Sequence, residues 1–200
     1  MLSSLYKLYC YGNTLVSKSL SYINNPSKDI KTQRLKDTNK NIIKNLYDFS
    51  YSMTEIIPHV YLGNAYNARD YYALKDKNIK LIVNCTKEFP NYFHNEFQYI
   101  NVSILDENNT DISTYFDSTA DKINEILTTD PSNSVFIHCF MGASRSVAIL
   151  ISYMVKYHNI TVDAAIDYIE KRRYFINLNI DFYFQLLEYQ MKKNLIDIAK

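Results

Sequence analysis

Short apolar runs that alternate with helical patterns constrain the fold of this chain more than any other feature. The runs lie at residues 80–84 (KLIVN), 99–105 (YINVSIL) and 134–138 (SVFIH). Continuous apolar runs of this length are typical of strands buried in a parallel sheet. Apolar residues at helical spacing predict helices at residues 65–77, 111–127, 146–158, 161–172 and 181–192. We therefore predict an α/β domain whose central, mostly parallel sheet is flanked by helices.

The first 50 residues differ in pattern from the rest. Residues 1–20 carry apolar side chains that fit an amphipathic helix, and residues 21–45 are polar and rich in lysine, as linkers are. We predict an N-terminal extension over residues 1–50 and a folded domain over residues 51–200, which opens with an extended stretch at residues 55–62. The extension is either a flexible arm or a helix that binds a partner, including a homodimer formed through residues 1–20.

Composition restricts the compartment and the partners. A net charge of +1 provides no general attraction to nucleic acid, so none is expected as a partner. Three cysteines at irregular spacing argue against a disulfide framework and for reduced thiols. We find no signal peptide, and residues 147–155 fall short of the ~20 apolar residues of a membrane span. We expect a cytoplasmic protein with no membrane span, and access to the nucleus stays open.

The segment HCFMGASRS at residues 138–146 contains the main candidate catalytic and anion-binding residues. It lies between a predicted strand's carboxyl end and a helix N-terminus, where ligands bind in open α/β sheets. Such a loop turns backbone N–H groups inward and adds the helix dipole, which together bind anions. Gly142 permits the backbone angles of the loop, and Arg145 offers a bidentate grip on two oxygens of one anion. The expected guest is a phosphate group.

The same environment acts on Cys139. Helix N-termini and nearby cations lower thiol pKa values from ~8.5 into the range ~3.5–7.5, so the thiolate is a nucleophile aimed at phosphorus. His138 would hold the start of the loop, and the Ser146 hydroxyl would stabilise the thiolate when it leaves. The alternative is a buried cysteine with Arg145 in a surface salt bridge. The agreement of strand, glycine, arginine and apolar helix favours the catalytic loop.

Cleavage of a phosphoester also needs a proton for the leaving oxygen. Asp106 follows the strand predicted at residues 99–105, at the same sheet edge as Cys139, and is our candidate general acid. Glu107 is a substitute acid, and Asp111 has the alternative role of a helix N-cap.

The quoted segment has the form HCxxGxSRS, and through it the chain resembles the dual-specificity protein phosphatases of the cysteine-dependent protein tyrosine phosphatase superfamily. It is most similar to the short atypical members, which lack a separate targeting domain. The resemblance covers about residues 54–190. Its other segments are IIPHVYLGNAYNARD, LIVNCTKEFPNYF, ILDENNTDISTYFD, AAIDYIEKRR and FINLNIDFYFQLLEYQ.

The resemblance implies the cysteine-phosphatase fold, no metal or cofactor, and phosphoproteins as substrates. It implies that Cys139 is the nucleophile, Arg145 binds phosphate, Asp106 is the general acid and Ser146 assists the leaving thiolate. The phosphate-binding loop would comprise Phe140, Met141, Gly142, Ala143, Ser144 and Arg145. The expected activity is hydrolysis of phosphotyrosine and phosphoserine/phosphothreonine, because no phosphotyrosine recognition loop of the classical tyrosine-specific kind precedes the domain.

Two features need separate interpretation. The family pattern Pro-Asn-x-Gly-Phe appears at residues 178–182 as Leu-Asn-Ile-Asp-Phe, which leaves Asn179 as a supporting residue without the flanking proline and glycine. Cys85 follows the strand at residues 80–84, and in some relatives a cysteine there forms a reversible disulfide with the nucleophile. Cys85 is therefore either a redox partner of Cys139 or a small buried strand-end residue, and the second interpretation is favoured.

Other functions remain as alternatives. A phosphate-binding adaptor without turnover would be expected to lack the nucleophile or the acid, and this chain retains both. A lipid phosphatase would carry basic residues at the variable loop positions, which here are uncharged, and an RNA phosphatase would add a basic surface. A sulfurtransferase could also use a cysteine loop, but SRS and the acid loop fit phosphoester cleavage better.

Overall fold

The computed structural model describes residues 52–198, so the predictions for residues 1–50 lie outside the described part of the chain. The five strands of this part are β1 Thr54–Ile57, β2 Val60–Gly63, β3 Ile79–Asn84, β4 Gln98–Asn101 and β5 Ser134–His138. Its α-helices are α1 Tyr71–Asp76, α2 Phe116–Thr129, α3 Arg145–His158, α4 Val162–Glu170 and α5 Ile180–Ile198. Short 3-10 turns lie at Asn67–Arg69 and Ser113–Tyr115.

The strands form one sheet in the order β1-β2-β5-β3-β4. β2, β5, β3 and β4 run parallel, and β1 pairs antiparallel with β2 at the edge. The predicted central, mostly parallel sheet flanked by helices is therefore confirmed. Because parallel strands end at the same edge of a sheet, the loops that follow β2, β3, β4 and β5 meet there.

Helix α3 is the centre of the packing. Every side chain from Arg145 to Val155 is buried, because α2, α4 and α5 pack around this helix and the sheet covers it. This explains why residues 147–155 are almost continuously apolar. The opposite face of the sheet buries a smaller cluster that includes Leu74 of α1 and Phe136 of β5. Within residues 52–198, no helix is both long and apolar enough to cross a membrane.

Two predictions near the start of the domain were wrong. Residues 55–62 form two antiparallel strands, because the chain reverses at His59, whose φ is 65° and whose N–H donates to the Glu55 carboxylate at 2.9 Å. The helix predicted at residues 65–77 is confined to α1. Asp70 has non-helical angles, and its carboxylate accepts the N–H of Ala73 at 3.0 Å, so it caps α1 and separates it from the preceding turn.

Two further segments are shorter than their patterns predicted. The strand expected at residues 99–105 ends at Asn101, and the chain then leaves the sheet while burying Val102 and Ile104 in the core. The helix expected from residue 111 begins at Phe116. The preceding segment forms a turn instead, because its N–H groups bond to side chains, including that of Gln185 on α5.

Candidate active site

The loop between β5 and α3 turns its carbonyl groups outward. Each carbonyl oxygen from Cys139 to Ala143 accepts a hydrogen bond from outside the loop. The pairs are Cys139 O with His138 Nδ1 (3.4 Å), Phe140 O with Ala65 N (3.2 Å), Met141 O with Arg173 Nη2 (3.4 Å), Gly142 O with Arg173 Nε (2.8 Å) and Ala143 O with Asn177 N (2.8 Å). The N–H groups therefore face the centre of the loop, as in an anion-binding cradle.

Gly142 is required by both its angle and its neighbours. Its φ is 69°, a value that side chains oppose, and a Cβ there would overlap the carbonyl oxygen of Gly63. Gly63 is itself enclosed, because a Cβ on it would lie 2.6 Å from the ring of Phe136. The phosphate-binding loop consequently packs directly on the backbone at the end of β2.

Cys139 lies at the bottom of this cradle and is 2% exposed. Its Sγ accepts hydrogen bonds from the Gly142 N–H at 3.2 Å and the Ser146 hydroxyl at 3.3 Å. Burial opposes ionisation, but the charge of Arg145 and the hydrogen bonds from Ser146 and Ser144 outweigh it and lower the pKa of Cys139. The sulfur can therefore act as a thiolate nucleophile.

Arg145 is buried with one side of its guanidinium anchored and one side unpaired. Nη1 donates to both carboxylate oxygens of Glu88, at 3.2 and 3.0 Å, and to the carbonyl of Ile104 at 3.1 Å. The buried Nε has no hydrogen-bond partner among the described residues, and lies 3.8 Å from Oδ2 of Asp106. A buried guanidinium N–H without a partner is costly, so an anionic ligand would satisfy it.

Asp106 reaches the same loop from the segment after β4. Its Oδ1 accepts hydrogen bonds from the Ser144 hydroxyl at 2.8 Å and from Nδ2 of Asn179 at 3.4 Å. The structure thus brings Asp106 and Asn179 together with the loop. Asp111 accepts the N–H and hydroxyl of Ser113 but is not a helix N-cap, because Ile112 and Tyr115 hold the N-cap positions of the 3-10 turn and of α2. Glu107 is exposed.

His138 supports the loop from the end of β5. Its ring stacks on Phe136, with the centroids 5.5 Å apart. Burial lowers the pKa of His138 to about 4, so the imidazole is neutral at neutral pH. Its contact with the Cys139 carbonyl requires the proton on Nδ1.

Sequence reasoning missed two contributors to this site, Glu88 and Arg173. Glu88 follows β3 at the sheet edge that carries Cys139, so the rule that selected Asp106 could also have selected it. Arg173 is 1% exposed and lies behind the loop, after α4. Arg173 ends the segment AAIDYIEKRR, but its role was not predicted, because its partners, which are loop carbonyls and the Thr54 hydroxyl, are far away in sequence.

Cys85 lies close to Cys139. Its N–H donates to the His138 carbonyl at 2.8 Å, and its thiol is free and fully buried. Burial, with a smaller contribution from the charge of Cys139, raises the pKa of Cys85 well above its ordinary value. The thiol is thus a poor nucleophile in this state, and its redox role stays a prediction.

The rim of the site is aromatic. Phe89, next to Glu88, stacks on Phe140 with ring centroids 5.7 Å apart and planes 9° from parallel. Phe140 and Met141 are half-buried and uncharged, so these loop positions offer no cation for additional phosphates. No cluster of three metal-ligating side chains occurs within residues 52–198.

Comparisons with known proteins agree with this geometry. Residues 60–192 match the family model described as dual specificity phosphatase, catalytic domain. The chain is 35% identical over 136 residues to dual specificity protein phosphatase 1-B of Xenopus laevis, a match that spans 68% of this chain and 36% of that protein. It is 32% identical over 138 residues to dual specificity protein phosphatase 14 of Mus musculus, spanning 69% of each.

A solved structure gives the same result for the fold. The human tyrosine phosphatase-like serine/threonine/tyrosine-interacting protein superposes with a TM-score of 0.66 at 28% identity, covering 70% of this chain and 96% of that one. Family and fold together support protein phosphatase activity. This chain belongs to the dual-specificity phosphatase family, within the cysteine-dependent protein tyrosine phosphatase superfamily.

Proposed function

We propose that this chain hydrolyses phosphotyrosine and phosphoserine/phosphothreonine in proteins through a cysteinyl-phosphate intermediate. The observation that carries the proposal is the combination of an ionisable buried Cys139 with an unpaired Nε of Arg145 in a cradle of inward N–H groups. Each of these features favours a tetrahedral oxyanion in contact with the sulfur.

In the first step the Cys139 thiolate attacks phosphorus, and the bond from phosphorus to the leaving oxygen breaks. Asp106 gives its proton to that oxygen, since its carboxyl group lies at the loop, in contact with the Ser144 hydroxyl. Loop N–H groups and Arg145 stabilise the charge on the three transferring oxygens. The phosphoryl group is then bound to sulfur, and the substrate leaves as an alcohol or phenol.

In the second step water attacks phosphorus while Asp106 takes its proton, and the S–P bond breaks. The Ser146 hydroxyl, 3.3 Å from Sγ, stabilises the departing thiolate. Asn179 would support the acid through its contact with Asp106, and His138 through its contact with the Cys139 carbonyl would support the loop. No step requires a metal or cofactor.

The test is phosphate release from matched phosphotyrosine and phosphothreonine peptides without added metal. We expect wild type to act on both, Cys139→Ser to be inactive, and Asp106→Asn to lose about 10²–10⁴-fold in rate. Activity on phosphotyrosine alone would agree with the mechanism but would refute dual specificity. Phosphopeptide binding without turnover would indicate an adaptor, and turnover of phosphoinositides or RNA in preference to both peptides would indicate the corresponding alternative.

A further inference from the structure

The loop that carries Asp106 is attached to the first turn of α5 by Asp181. The N–H of Asn109 donates to Oδ2 of Asp181 at 2.7 Å. Among the described residues this is the one hydrogen bond that joins the backbone of residues 106–109 to another element. The backbone in the middle of the loop is therefore attached through a single carboxylate, in addition to the bonds of the Asp106 side chain to Ser144 and Asn179.

The far end of the loop is attached separately, through Gln185. Its Nε2 donates to the carbonyl of Thr110 at 2.8 Å, and its Oε1 accepts the N–H groups of Ile112 and Ser113 at 2.9 and 3.0 Å. Loss of the Asp181 contact would thus loosen the backbone of residues 106–109 without detaching the segment that follows. The position of Asp106 would then depend on its side-chain bonds to Ser144 and Asn179 alone.

The backbone of Asp181 is held at the start of α5. Its own N–H donates to Oδ1 of Asn179 at 2.8 Å, which places Asp181 in the first turn of α5. A negative charge is favourable there because of the helix dipole.

We propose that Asp181 is a positioning residue that holds Asp106 over Cys139 through its hydrogen bond to Asn109. The inference rests on the proposed function, in which Asp106 protonates the leaving oxygen. A general acid acts only within hydrogen-bond reach of its target, and a displacement of about 1 Å costs on the order of 10²-fold in rate. Loosening of residues 106–109 would therefore weaken proton donation specifically.

The experiment compares two substrates that differ in their need for that proton. Phenyl phosphate releases a phenol that must be protonated, whereas p-nitrophenol is a much stronger acid and leaves as the anion. We expect Asp181→Ala to lower kcat/KM about tenfold on phenyl phosphate and by less than about twofold on p-nitrophenyl phosphate. The value of kcat/KM reports the steps up to release of the leaving group, so the role of Asp106 as base in the second step does not affect it. The ratio of the two rates in one sample is independent of the fraction of protein that is folded.

Three further variants separate the hydrogen bond from other effects. Asp181→Asn keeps an acceptor oxygen, so we expect its ratio of activity on phenyl phosphate to activity on p-nitrophenyl phosphate to lie close to that of wild type. Glu188→Gln removes another acidic group from the same surface hollow on α5, and its carboxylate does not bond to the loop backbone, so the ratio should match wild type. In an Asp106→Asn background, Asp181→Ala should have no additional effect on phenyl phosphate.

The outcomes distinguish failure of the positioning role of Asp181 from failure of the proposed function. If Asp106→Asn lowers the substrate ratio and Asp181→Ala does not, the positioning role is wrong and the proposed function stands. An equal loss on both substrates for Asp181→Ala, or a loss in Glu188→Gln as large as in Asp181→Ala, also overturns the positioning role. If Asp106→Asn itself leaves the ratio unchanged, Asp106 is not the acid, and both its role in the proposed mechanism and the positioning role of Asp181 are overturned.

Discussion

Replacement of Arg173 by methionine tests how the phosphate-binding loop is held. Two short hydrogen bonds from the guanidinium, at 2.8 Å to Gly142 O and at 2.8 Å to the Thr54 hydroxyl, would be lost. Hydrogen bonds from a charged donor contribute about 1.5–3 kcal/mol each. Removal of a buried charge offsets part of this loss, because burial is also what lowers the pKa of Arg173 to about 10. We expect a net loss of about 2–4 kcal/mol in the free energy of unfolding.

The assay is urea unfolding followed by far-UV circular dichroism, since the chain has no tryptophan. Arg172→Met is the matched control, because Arg172 is exposed and its guanidinium contacts the Tyr168 carbonyl and ring. The control should change the free energy of unfolding by less than about 1 kcal/mol. Equal effects of the two variants would refute the argument. In Arg173→Met that remains folded, we also expect weaker binding of inorganic phosphate, because two loop carbonyls would be released.

Three further predictions follow from charges in the structure. Glu88→Gln should reduce kcat/KM about tenfold, because Arg145 loses the charge of its anchor. A hydrogen bond to a charged group contributes about 1.5–3 kcal/mol, and the partial exposure of Glu88 places the expected effect at the lower end of that range. Unchanged steady-state kinetics would exclude this anchoring role. Burial opposes ionisation of Asp117, but hydrogen bonds from two lysines and a tyrosine outweigh it and lower its pKa to about 2. Its contribution to stability is thus fully present above the ordinary value of 3.8 and is lost as pH falls towards 2. In acid titrations followed by circular dichroism, Asp117→Asn should reduce the pH dependence of stability in that window, and an identical titration would contradict the assignment. Alkylation of Cys139 by iodoacetamide should extend below the pH at which an ordinary thiol reacts, and Ser146→Ala should shift this profile to higher pH because it removes a hydrogen bond that lowers the pKa.

The parallel strands and the central helix could be predicted because each is buried on most sides and therefore consists of a nearly continuous run of apolar residues. Residues 134–138 form β5 as predicted, and the apolar stretch after Arg145 forms α3. The elements at the start of the domain, β1, β2 and α1, could not be predicted in the same way. A turn at His59 divides one apolar stretch into β1 and β2, and the Asp70 cap shortens the helix that follows. Both are decided by single residues, which periodicity does not detect.

The candidate site was also predictable only in part. Cys139, Gly142 and Arg145 lie within one short motif, so their proximity was predictable from spacing. Asp106 could be placed only through the rule that parallel strands end at one edge. Arg173 could not be placed in this way, because it reaches carbonyls on the phosphate-binding loop and β2 that are 31 and 111 residues away. Long-range contacts with backbone atoms have no side-chain signature in the sequence.

The most direct test of the central claim is capture of the covalent intermediate. Asp106→Asn is mixed with p-nitrophenyl phosphate, quenched in acid and examined by intact-protein mass spectrometry, followed by mapping of the modified peptide. The p-nitrophenolate leaves without a proton, so the first step does not need Asp106, whereas the substitution removes the base of the second step and the phosphoenzyme should accumulate. We predict one phosphoryl group, located on Cys139 and absent from Cys139→Ser. Turnover by wild type with no trapped phosphoryl group, or a phosphoryl group on another residue, would contradict the account.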